Sequence, residues 1–152
     1  MNRKVLNFEE IDELAVKMAR KLRKGGCLGL IGDLGAGKTT FTKKICKEYN
    51  INENIKSPTF TYVIEYQSGD VTVYHFDAYR IINSEEIYEI GFEDYIGEEN
   101  SVVIVEWANN IIDEIPEDTI YVEINHNGEN TREVSVYQIE DGEKKYVDIC
   151  DD

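Results

Sequence analysis

Four residues set the chemistry to be explained. Gly32, Gly37, Lys38 and Thr39 stand in the spacing GxxxxGK[ST] within "GDLGAGKTT", residues 32–40. Glycines at such spacing let successive backbone N–H groups turn inward around the β- and γ-phosphate oxygens of a nucleoside triphosphate. Asp33, Leu34, Gly35, Ala36 and Gly37 supply the cradle. Lys38, Thr39 and Thr40 open a helix whose N-terminus favours negative charge. Lys38 would bridge the β- and γ-phosphates, and the Thr39 hydroxyl would ligate Mg²⁺.

The pattern calls for an acid at the end of a neighbouring apolar strand, holding the metal directly or through water. Glu106 closes "VVIVEW" and fits that role, against the alternative of a surface acid at a strand end. Asp77 in "HFDAYR" is a second acid after an apolar strand. It can ligate the metal, orient the attacking water or accept a substrate proton, or it can simply cap the strand and pair with Arg80. Arg80 in turn is either a transition-state cation or half of a structural salt bridge. His75 alternates with Tyr74 and Phe76, which leaves structural and functional roles equally open. In "KSPTFTY", Thr59 or Thr61 can meet the γ-phosphate, or the segment is only a loop entering a strand.

Several elements must hold these residues in place. "NFEEIDELAVKMARKLRKGG" carries a helical apolar stripe, with Asn7 and Glu10 spaced as a capping box and Gly25–Gly26 as the stop. "CLGLI" is a short buried strand running into the phosphate loop, and a helix follows over 38–49. "TFTYVIEYQ" and "VTVYHFDAYR" predict an antiparallel hairpin turning at Ser68-Gly69-Asp70. A helix is expected from Asn83 or Ser84 to a break near Gly91, then a central strand at "SVVIVEW". "TIYVEINH", "REVSVYQI" and "KYVDIC" predict further strands, the last two joined at Asp141-Gly142. The tyrosines along the hairpin suit a strand first and a docking face second. This order implies one three-layer α/β domain over residues 1–152, a P-loop NTPase fold with a mixed, partly parallel central sheet.

Composition removes several classes of function. With 31 acidic and 16 basic residues the net charge is −15, unlike a chain that grips RNA or DNA unaided. Three cysteines without CxxC spacing argue against a disulfide framework or a zinc site. No apolar run is long enough to cross a bilayer and no signal peptide is recognisable, so a cytoplasmic home is expected. The guanine-reading NKxD motif is missing, which favours ATP. Three uses of the loop remain open: an ATPase, a small-molecule kinase with Asp77 as base, or a nucleotide-dependent interaction module.

The combination "GDLGAGKTTF" (32–41), "SPTFTYVIEY" (57–66), "HFDAYR" (75–80) and "VIVEWANNI" (103–111) resembles the TsaE family. The resemblance spans roughly residues 6–125. That family is the ATPase component of bacterial tRNA threonylcarbamoyladenosine biosynthesis. The resemblance implies a small Mg²⁺-ATPase, feeble alone and active with TsaB and TsaD, with tRNA engaged only indirectly. It also implies Mg²⁺ near Thr39 and Glu106, Asp77 and Thr59 flanking the γ-phosphate, and Trp107 beside the nucleotide or at a partner face. The family's Gly-Arg pair is split here, with Gly128 and Arg132 separated in "NHNGENTREV", which leaves Arg132 without an assigned role.

Overall fold

A computed structural model describes residues 3–33, 35–55, 63–79, 81 and 91–147. The chain enters through β1 (Arg3–Asn7) and passes without a linker into α1 (Phe8–Leu22). Asn7 is both the last residue of the strand and the helix N-cap. Its Oδ1 accepts from the Glu10 N–H at 2.8 Å, and Glu10 Oε1 accepts from the Asn7 N–H at 3.0 Å. These are the two reciprocal bonds of the expected capping box.

The remaining elements are β2 (Gly26–Gly32), α2 (Lys38–Glu48), β3 (Val63–Gln67), β4 (Thr72–Asp77), β5 (Ser101–Glu106), β6 (Ile120–His126), β7 (Thr131–Glu140) and β8 (Glu143–Tyr146). Among the described residues they form one mixed sheet of eight strands. Its order is β1-β7-β6-β2-β5-β4-β3, with β8 also paired to β7. β2 runs parallel to both β5 and β6, and β4 runs parallel to β5. The hairpin of β3 and β4 is antiparallel as expected, as are the β6–β7 and β7–β8 pairs.

Strand alternation divides the core in two. Leu28, Leu30, Val102, Ile104 and Val122 face α1 and α2, where Leu14, Met18, Phe41 and Ile45 complete one cluster. Val103, Val105, Phe76, Tyr121 and Tyr137 point the other way. There they meet Phe92 and Ile111, carried in or beside the short 3₁₀ turns Phe92–Tyr95 and Ala108–Asn110. Helices, sheet and this second cover make the three-layer α/β arrangement.

Two expectations need correction. β1 was not anticipated, because "RKVLN" is short and charged, and its residues alternate between exposed and half-buried with none in the core. It is a strand because it pairs with β7, a partner more than a hundred residues away. The last strand begins earlier than "KYVDIC" implies, at Glu143, because the Asp141-Gly142 turn folds it back at once on β7. The helix expected after Asn83, as well as Arg80 and Thr59, lie outside the described residues.

Candidate functional site: the phosphate loop and its carboxylates

Because β2, β4 and β5 run in parallel, their carboxyl ends open on one rim of the sheet. Gly32, Asp77 and Glu106 sit at those three ends, with Asp77 directly opposite Glu106 in register. The loop after β2 then leads into α2, where Gly37 occupies the N-cap. Among the described residues no side chain caps the first turn of α2, and that turn carries no acid. Its N–H groups are left for an anion. Gly35 and Gly37 adopt φ of +77° and +121°, and a Cβ added at either would meet nothing within 4 Å. The loop backbone is therefore open around both glycines.

Gly32 serves a different purpose. At φ +141° a Cβ there would run into the Ile124 carbonyl of β6. Only glycine lets the strand end pack this closely before it turns. Gly32→Ala is expected to lower stability by about 3 kcal/mol and to weaken nucleotide binding, both readable by urea denaturation and calorimetry. A stable variant with unchanged binding would show that the close approach is not required.

Lys38 is buried. Its Nζ donates to the carbonyls of Gly32 (2.8 Å) and Asp33 (2.7 Å) and lies 4.2 Å from the centre of the Trp107 ring. Burial holds its pKa below the ordinary lysine value, while the carboxylates of Glu106, Asp33 and Asp77 pull the other way. Trp107, directly after Glu106, has φ +59°. For a bulky residue that left-handed conformation costs about 1 kcal/mol or more. It turns the chain so that the indole covers Lys38 and packs against Tyr79, at 4.8 Å between ring centres. The indole thus stands beside the phosphate loop.

The Thr39 hydroxyl lies 2.9 and 3.0 Å from the two carboxylate oxygens of Glu106, and Glu106 is itself buried. A hydroxyl beside a carboxylate is a donor set suited to a hard cation. Among the described residues no cluster of three or more His, Cys, Asp or Glu forms a ready-made metal cage. Mg²⁺ seldom uses one, taking one or two protein oxygens with waters and substrate phosphates. Asp77 is buried and accepts from the Tyr79 N–H at 2.9 Å.

The loop is braced from β6 and β7. Asp33 Oδ2 accepts from the His126 N–H, and Asn125 Oδ1 accepts from the Asp33 N–H. Arg132 Nε donates to the Ala36 carbonyl at 3.1 Å, and its guanidinium lies over Phe8. Sequence spacing left Arg132 unassigned, since only the β1–β7 and β6–β7 pairings carry it to the loop. A cavity of about 350 Å³ opens here beside Gly35, Gly37 and Thr40, walled by Phe8, Ile11 and Arg132. Burial pushes the thiols of Cys27 and Cys46 up to about 12, so neither is a nucleophile near neutral pH. Leu34 and Thr59 fall outside the described residues.

The sequence profile described as "Threonylcarbamoyl adenosine biosynthesis protein TsaE" matches residues 5–134. A Bacillus subtilis protein named tRNA threonylcarbamoyladenosine biosynthesis protein TsaE is 34% identical over 149 residues, 98% of this chain and 90% of its own length. A protein of the same name from Rickettsia felis is 38% identical over 131 residues, covering 86% of this chain and 75% of its own. The crystal structure of Bacillus subtilis YdiB superposes with a TM-score of 0.71 at 32% identity, over 88% of this chain and 82% of that one. With the phosphate loop, the strand-end acids and the sheet order all in place, the chain belongs to the TsaE family.

Proposed function

We propose that this chain is a Mg²⁺-dependent ATPase that serves the formation of N6-threonylcarbamoyladenosine in tRNA, working with TsaB- and TsaD-like proteins. The observation that carries the catalytic part is the convergence of Lys38, Thr39 and Glu106 at one rim of the sheet. In this reading the loop N–H groups and Lys38 hold the β- and γ-phosphates. Thr39 and Glu106 hold Mg²⁺, which neutralises charge on the phosphate oxygens when bound. Asp77, across from Glu106, orients the attacking water or takes its proton. The adenosine end of ATP fits the cavity beside Gly37 and Thr40, where Phe8 and Arg132 offer an aromatic face and a cation.

The charge of −15 supports a division of labour in which a partner, not this chain, holds the tRNA. Membership of a family named for threonylcarbamoyladenosine biosynthesis supports the pathway. The test is ATP hydrolysis with Mg²⁺, measured with and without purified TsaB and TsaD from the same source. Strong stimulation is the expected result. Hydrolysis that ignores both partners, with no binding between them, would overturn the assignment and send the search to a metabolite that accepts the phosphoryl group.

A further inference from the structure

His75 lies on β4 with its side chain fully buried. Its Nε2 stands 2.5 Å from Glu106 Oε2. An ionised carboxylate only accepts, so Nε2 carries the hydrogen in this contact. The other ring nitrogen, Nδ1, is buried and has no hydrogen-bond partner among the described residues. A histidine kept only to fill space would be a poor choice here. It takes a polar nitrogen out of water without a return, where an apolar side chain of similar size would not. What an apolar residue lacks is the N–H aimed at Glu106.

Parity explains how the contact arises. Asp77 is opposite Glu106, and His75, two residues earlier on β4, shares that face and stands opposite Ile104. The ring leans along the strand toward the carboxylate, while Thr39 reaches the same group from α2. Glu106 is therefore gripped from two elements. We propose that His75 is a positioning residue that fixes the Glu106 carboxylate for the metal. This rests on the reading of Thr39 and Glu106 as the Mg²⁺ pair. Once the Thr39 oxygen faces a cation, its hydrogen bond is no longer what aims the carboxylate, and the grip from β4 remains. Partners that orient a metal ligand in this way commonly alter metal affinity by about 10- to 100-fold when removed.

The test follows ATP affinity by calorimetry as Mg²⁺ is titrated, and again in EDTA. His75→Leu is expected to raise the Mg²⁺ concentration needed for half-maximal tightening about 10-fold or more, with metal-free ATP affinity unchanged. His75→Gln, whose side-chain amide extends an N–H toward Glu106, is expected to recover most of that loss. In a Glu106→Gln background, His75→Leu is expected to add nothing, since both changes act on one interaction. Should His75→Leu fail to fold, His75→Gln against His75→Asn, whose amide falls short of Glu106, decides on the same readout. Equal loss of metal-free and Mg²⁺-dependent binding would mark His75 as packing alone and overturn the proposal. A Mg²⁺ requirement raised by Glu106→Gln but untouched at His75 would overturn the positioning role only. A requirement untouched by Glu106→Gln would overturn the metal pair, and the role of His75 with it.

Discussion

Lys38→Ala is expected to lower ATP affinity by at least 100-fold, measured by titration followed through Trp107, the single tryptophan of the chain. The ammonium is a cation seated between the Gly32 and Asp33 carbonyls, and a hydrogen bond to a charged group is worth about 1.5–3 kcal/mol. Losing two such contacts to phosphate corresponds to roughly 3–6 kcal/mol, or two to four decades of affinity. A second loss compounds the first, because Lys38 also ties together the carbonyls of Gly32 and Asp33. Wild-type protein should bind ATP less well as pH rises through the lowered Lys38 pKa. Phosphate favours the charged amine, so binding is complete below that pKa and fades above it. Unchanged ATP affinity in Lys38→Ala would remove the phosphate loop from the functional account.

Glu106→Gln is expected to separate binding from turnover. The amide is nearly isosteric and keeps one oxygen to accept from Thr39 or His75, but it leaves that buried network one acceptor short, a cost of about 1–3 kcal/mol that urea denaturation would read. ATP should still bind through the loop N–H groups and Lys38, while hydrolysis falls about 100-fold, equivalent to about 2.7 kcal/mol of barrier. Single-turnover assays with matched Mg²⁺ concentrations would show it. Normal hydrolysis in the variant would move the metal role to the facing strand end, where Asp77 is the next acid.

What could be read beforehand was what is written in consecutive residues. The loop spacing, the Asn7–Glu10 cap, the Ser68-Gly69-Asp70 turn and the acid ending "VVIVEW" all depend on neighbours within a few positions. The contacts that escaped depend on register between distant strands. His75 meets Glu106 only because β4 lies parallel to β5 with Asp77 opposite Glu106. Arg132 meets Ala36 only because β7 runs between β1 and β6. β1 itself has weak local character, and its strand identity comes from β7. A usable signal did exist for His75: histidine two residues before a strand-end acid, beside a parallel strand ending in another acid, puts all three on one face. The pairing had to be known before that parity could be used.

The bond from Arg132 to Ala36 has a mechanical consequence. Arg132 is in register with Leu6 of β1, and Leu6 adjoins Asn7, the residue from which α1 springs. A displacement of the loop therefore pulls on the outermost strand, and that strand cannot shift without tilting the start of the helix. In amide-exchange terms, the loop, β1 and the first turn of α1 are expected to open together, not as three separate units. Their local stability is set as much by a ladder at the edge of the sheet as by anything that touches phosphate.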